Sequence, residues 1–96
     1  MEYLAIIYNN TDVPSSEREW DDFFILAKES GFFLGGSQVG NNRQIIGKGI
    51  ESTFGTNIGG YMKFKCNNIG QITKLLNSHP VIINGGSIEL IDLPKD

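Results

Sequence analysis

The residues of this chain best suited to proton transfer are few, and His79 comes first among them. It is the only histidine, and the ordinary pKa of histidine suits acid/base work near neutral pH. Pro80 follows it directly and stops the preceding helical pattern. A general acid/base needs an orienting partner, and no such partner stands at a fixed spacing from His79. Two interpretations stay open: catalysis by His79, or a structural imidazole that bonds the last carbonyl groups of the helix.

Aromatic residues and glycines offer a second kind of chemistry, the binding of a small organic molecule. Tyr8 ends the first apolar run, Tyr61 follows Gly59 and Gly60, and Gly36 lies in a glycine-rich segment. Aromatic surfaces with a few polar tips suit such a ligand. We therefore predict a ligand site formed by Tyr8, Tyr61, His79 and Gly36. The alternative for the tyrosines is packing in a core or dimer interface with one satisfied hydroxyl.

Other chemistries find little support in the sequence. Asp21 and Asp22 are adjacent on a predicted helix and point in different directions, which disfavours a carboxylate pair. The lone Cys66 excludes an intramolecular disulfide, and no cysteine and histidine group has zinc-site spacing. The glycines match neither a phosphate-binding loop nor a dinucleotide motif. We expect no metal and no cofactor.

Charge and hydropathy restrict the partners. The formal charge is −3, and no segment shows the basic stripe that nucleic-acid binding needs. The sequence opens on an apolar strand pattern without a basic leader or cleavage site, and its apolar runs are too short to span a membrane. We expect a soluble, cytoplasmic protein with neither a nucleic-acid nor a membrane partner.

The pattern of apolar residues predicts an α+β fold. A capping box of Ser16 and Glu19 starts the first helix, Gly31 ends it, and Asn68 caps a second helix. Trp20, Phe23, Phe24 and Ala27 form the buried stripe of the first helix. The predicted strands are Tyr3–Tyr8, Phe32–Val39, Arg43–Ile50, Ile58–Cys66 and Ser87–Leu93.

Two β-α-β halves in 96 residues indicate one ferredoxin-like domain over residues 1–96, with the order β-α-β-β-α-β. The first strand is apolar at almost every position, as in a strand covered on both faces. Helices cover one face of such a sheet, and a chain of this size has no third layer. We therefore expect a homodimer that covers the other face.

The order of short motifs resembles the YCII-related proteins, especially their DGPF-type branch. The matching elements are the apolar opening strand, Gly31–Gly36, Gly59-Gly60-Tyr61, His79-Pro80 and Gly86-Ser87-Ile88-Glu89-Leu90. The Asp-Gly-Pro-Phe motif that names the branch is reduced here to Glu51-Ser52-Thr53-Phe54. This resemblance implies a dimeric α+β barrel in which two sheets pack face to face, with a cleft between sheet and loops.

In the other branch of that family, a histidine in the first helix pairs with an acid at the end of the second. The resemblance places Trp20 near the histidine position and His79 at the acid position, so that pair cannot form here. Three functions follow as expectations. The first is a small-ligand-binding dimer, the second is a lyase or isomerase that uses His79, and the third is a protein-interaction or regulatory module.

Overall fold

The protein is described by a computed structural model over residues 1–49 and 57–95. The chain forms a small α+β fold with one four-stranded antiparallel sheet, and this confirms the predicted ferredoxin-like class. Its elements, in order, are β1 (Glu2–Tyr8), α1 (Glu17–Ser30), β2 (Phe33–Gln38), β3 (Ile58–Lys65), α2 (Ile69–Leu76), α3 (Pro80–Ile83) and β4 (Ile88–Leu93).

The sheet has the strand order β2-β3-β1-β4, and each pair of neighbouring strands is antiparallel. The apolar strand β1 therefore has a neighbour on each side. Ala5 pairs with Met62 of β3 and with Leu90 of β4. Residues paired in this way share one face of the sheet, because side chains alternate along a strand.

One face of the sheet packs against the helices and forms the core. Its fully buried members include Ala5 and Phe64 from the sheet, Phe23 and Ala27 from α1, and Ile72 from α2. The molecule is only 17 Å thick along its shortest axis, which corresponds to one sheet and one helical layer. The opposite face, which carries Tyr61 and Ile91 at 39% and 37% exposure, is not covered by a described element.

The ends of α1 have the predicted chemistry. Glu19 N–H donates to Ser16 Oγ at 3.1 Å, and Ser16 N–H donates to Glu19 Oε1 at 2.8 Å, which completes the capping box. The Ser16 N–H lowers the pKa of Glu19, and the Asn84 amide contributes in the same direction. Gly31 ends the helix at φ 81°, a left-handed conformation that glycine adopts without steric cost.

The predicted strand Arg43–Ile50 is wrong over the residues that the structure describes. Residues 43–49 contain no strand, and β2 pairs with β3 instead. Gly47 and Gly49 have φ values of 95° and 94°, which are incompatible with extended strand geometry. Ile50 and the segment Glu51-Ser52-Thr53-Phe54 lie outside the described residues.

No helix among the described residues is long and apolar enough to cross a membrane. In the same residues, no group of three or more His, Cys, Asp or Glu side chains is placed to hold a metal ion.

Candidate functional site

A cleft of about 420 Å³ lies between α1 and the adjoining ends of β1, β2 and β3. Its walls combine aromatic residues, glycines, short polar residues and a few aliphatic side chains. The aromatic members are Tyr8, Trp20, Phe24, Phe33 and Tyr61; the glycines are Gly36, Gly59 and Gly60; the polar members are Asn9, Ser37 and Gln38; and the rest are Ile7, Met62 and Val81.

The cleft exists because two glycines replace side chains on the face of the sheet below α1. Gly36 pairs with Met62, and Gln38 pairs with Gly60. Met62 is buried under the helices at 3% exposure, so its partner Gly36 faces the same layer. At these two positions the sheet presents bare backbone beside the side chains of Met62 and Ile7, so less side-chain volume lies beneath the helix. A gap between helix and sheet follows.

The sheet itself also requires these glycines. A Cβ at Gly36 would collide with the carbonyl oxygen of Tyr61, and one at Gly60 would lie 2.9 Å from the carbonyl oxygen of Ser37. Both oxygens belong to backbone that cannot easily move. The same residues therefore allow β2 and β3 to approach closely and leave the cleft open.

Above the gap, α1 contributes Trp20 and Phe24, whose ring centroids are 5.9 Å apart. The sequence predicted both as members of the buried stripe with Phe23 and Ala27. Phe23 and Ala27 are buried as predicted, but Trp20 is half-buried and Phe24 is 36% exposed. The difference arises because Trp20 and Phe24 border the cleft together with Gly36 and Gly60, where the sheet offers fewer side chains to cover them.

Three of the four predicted ligand-binding residues border this cleft: Tyr8, Gly36 and Tyr61. Tyr61 alternates with the buried Met62 along β3, so its side chain is directed to the open face of the sheet although the residue borders the cleft. The Tyr8 hydroxyl donates to Glu89 Oε1 at 2.6 Å. This hydrogen bond raises the pKa of Tyr8, and burial and the negative charge of Glu89 add to the rise. The Glu89 carboxylate is therefore hydrogen-bonded to a residue that borders the cleft.

His79, the fourth predicted residue, is not part of the cleft wall. It is the N-cap of α3, where its Nδ1 accepts the Val81 N–H at 3.0 Å. The prediction that His79 would donate to the carbonyl groups ending the preceding helix is thus wrong. Pro80 explains the change: it occupies the first turn of a new helix, where its missing N–H costs nothing, and the residue before it becomes the cap.

The imidazole of His79 is fully buried. Since Nδ1 accepts a hydrogen bond, the neutral ring carries its proton on Nε2, and Nε2 has no hydrogen-bond partner among the described residues. Burial lowers the pKa of His79 from 6.5 to about 4, because a charged imidazolium is costly to remove from water. The residue is therefore neutral at physiological pH.

Aromatic rings surround His79 and separate it from the cleft. Its ring lies edge-to-face with Trp20 at a centroid distance of 4.8 Å and close to Phe23 at 4.6 Å. Trp20 thus touches His79 and also borders the cleft. The two positions that the family resemblance pairs do meet in space, but as indole and imidazole in place of imidazole and carboxylate.

The arrangement is suited to holding a ring more than to transferring a proton. All described residues that border the cleft are uncharged. Sequence reasoning identified the tyrosines and Gly36 as candidates, but it placed Trp20 and Phe24 in the core and did not identify Phe33, Asn9 or Gln38. Gly36 and Gly60 were the sequence signal for the cleft. The sequence alone does not show that they face the helices, because this follows from the strand register.

Comparison with known proteins identifies the fold. No family model matches the chain, and no curated protein matches it. Among solved structures, it is similar to 5-chloro-2-hydroxyhydroquinone dehydrochlorinase (TftG) from Burkholderia phenoliruptrix AC1100, in complex with 2,5-dihydroxybenzoquinone. The TM-score is 0.53 at 11% sequence identity, with 100% of this chain and 96% of that chain covered. At this identity the likeness concerns the fold alone.

Proposed function

We propose that this protein is a YCII-related domain that binds a small organic molecule in the cleft between α1 and the sheet. The observation that carries the proposal is the glycine floor of Gly36 and Gly60 beneath the aromatic roof of Trp20 and Phe24. A concave, mostly apolar site with a few polar groups is the usual form of a small-molecule site. The fold likeness to a protein crystallised with a small quinone, together with the order of sequence motifs, supports the same conclusion.

Binding is favoured over catalysis by His79. A general acid/base must reach the substrate proton directly or through one water, whereas His79 is fully buried behind Trp20 and its Nδ1 is occupied by the Val81 N–H. Its low pKa also keeps it neutral. We assign His79 a positioning role: it supports the Trp20 ring, which forms part of the cleft wall.

A homodimer is part of the proposal. The open sheet face carries Leu4 and Ile91, which are paired across β1 and β4, beside an ion pair between Lys63 and Glu2 at 3.4 Å. An apolar stripe with flanking charges of both signs suits a second copy of the same face. We also propose a cytoplasmic location, in keeping with a single Cys66 that hydrogen-bonds as a thiol to Gln71 at 3.1 Å.

Ligand binding in the cleft can be tested by a substitution that introduces a larger side chain at its border. A Cβ at Gly59 would make an ordinary contact of 3.5 Å with the Asn9 side chain and would not strike the backbone. Gly59→Leu places the larger side chain beside Asn9, and both residues border the cleft. Gly40→Leu is the matched control, because Gly40 has open space around it and does not border the cleft.

Binding is measured by nuclear magnetic resonance with 2-naphthol as the probe ligand. The single tryptophan gives one indole N–H signal, which reports directly on the cleft wall. We expect a saturable shift of this signal in the wild type and in Gly40→Leu, and an affinity at least about tenfold weaker in Gly59→Leu. Equal affinities in all three proteins would contradict the proposed site.

A further inference from the structure

We infer that the cleft selects an uncharged, flat ligand and discriminates against anions of the same shape. The inference rests on the proposed function and defines the chemical class of its ligand. It follows from two features of the cleft, the absence of charge in its described walls and the combination of glycine backbone with aromatic rings around one space.

The charges near the cleft are unfavourable to an anion. None of the described residues that border it is charged. A carboxylate lies next to the wall, because Glu89 Oε1 accepts a hydrogen bond from the hydroxyl of the bordering Tyr8 at 2.6 Å. Segment 50–56 lies outside the described residues, and its sequence adds one acid, Glu51, and no base. An anionic ligand would lose part of its hydration here without gaining a described cationic partner in the wall.

Two basic residues near the cleft, Lys63 and Arg43, have described interactions of their own. Lys63 alternates with the buried Met62 along β3, so it lies on the open face, where it pairs with Glu2 at 3.4 Å. The Arg43 guanidinium donates to the Ile58 carbonyl at 3.1 Å, next to the cleft residue Gly59. Arg43 is therefore the cation that most needs to be tested.

The shape of the site favours a flat ring. Gly36 and Gly60 expose peptide backbone where a side chain would otherwise stand, and Trp20 and Phe24 face that floor from the helix. Phe33 closes one side, with its ring 6.3 Å from that of Phe24. Aromatic ligands gain most from stacking or edge contacts with such walls, and the polar side chain of Asn9 remains for a neutral hydrogen-bonding substituent.

The test compares two probes that share one ring system, 2-naphthol and 2-naphthoate. At neutral pH the first is uncharged and the second is an anion. Titration is followed at the Trp20 indole signal in the wild type, Gln38→Lys and Arg43→Ala. Gln38 is exposed at the cleft border, so the introduced ammonium supplies the missing positive charge without changing the floor or the roof.

We expect the wild type to bind 2-naphthol at least about tenfold more tightly than 2-naphthoate. Gln38→Lys should reduce this preference by strengthening 2-naphthoate binding, while Arg43→Ala leaves the preference unchanged. Equal or tighter binding of 2-naphthoate to the wild type overturns the inference but not the proposed ligand site. Weaker 2-naphthoate binding in Arg43→Ala would then identify Arg43 as the residue that attracts the anion. Binding of neither probe overturns the inference and removes the support for the site itself.

Discussion

His79 makes the stability of this protein depend on pH, over a range set by the pKa values of its folded and unfolded states. The perturbation is acidification from neutral pH. In the fold, Nδ1 of His79 accepts the Val81 N–H at 3.0 Å, and protonation would turn that nitrogen into a second donor facing the first. It would also place a full charge among Trp20 and Phe23. Both effects disfavour the charged form in the folded state.

The magnitude follows from the difference between the two pKa values. Unfolding restores the ordinary pKa of 6.5, whereas the folded pKa is about 4. Between these values the unfolded chain binds more protons, so the free energy of unfolding falls as the pH falls, by about 1.4 kcal/mol for each pH unit. The contribution of neutral His79 to the free energy of unfolding is fully present well above pH 6.5. It declines by up to about 3 kcal/mol by the time the pH reaches the folded pKa.

Urea unfolding of the wild type and of His79→Asn, measured at several pH values and one protein concentration, isolates this effect. Asparagine is a good N-cap and accepts the Val81 N–H, yet it does not titrate. Glu19 has a pKa lowered from 4.5, so its contribution is lost only at more acid pH. We expect the wild type to lose stability more steeply than His79→Asn between about pH 7.5 and about pH 5, by about 2 kcal/mol. Parallel curves in this range would refute the reasoning.

Three further predictions concern other parts of the molecule. Ser16→Ala removes the acceptor of the Glu19 N–H and should lower the free energy of unfolding by about 1 kcal/mol, whereas Ser78→Ala, at a serine with no side-chain bond in the described structure, serves as a near-neutral control. Ile91→Lys on the open sheet face should convert a dimer into a monomer in sedimentation equilibrium, and a monomeric wild type would contradict the proposed assembly. No turnover is expected for 5-chloro-2-hydroxyhydroquinone, because the Trp20 indole only donates a hydrogen bond; chloride release that depends on His79 would disprove this.

The architecture could be predicted from local sequence chemistry to a considerable extent. The capping box of Ser16 and Glu19, the glycine after α1 and the alternation in β3 each act within a few residues, and each appears in the structure. The strand predicted at Arg43–Ile50 failed over its described residues because alternation alone cannot detect the positive φ of Gly47 and Gly49. The short helix α3 was also missed, since Pro80 ends one helix and begins the next.

The candidate site was less accessible to sequence reasoning because it depends on strand register. Only the pairing of Gly36 with Met62, across a long separation in sequence, shows that this glycine lies beneath α1. Trp20 has the helical spacing of a core residue, and nothing local reveals that the sheet carries glycines at two positions near it. For His79, the sequence identified the residue but not its hydrogen-bond partner. One helix ends just before His79 and the next begins just after it, and the imidazole bonds to the second of them.

The central claim is that a small ring binds between α1 and the glycine floor of the sheet. Intermolecular nuclear Overhauser effects between bound 2-naphthol and the protein test it most directly, since they are observed only between protons that lie close together in space. The account predicts contacts from the ligand to the Trp20 indole, to Phe33 and to the Hα protons of Gly36. Contacts confined to Leu4 and Ile91 on the open sheet face would contradict it.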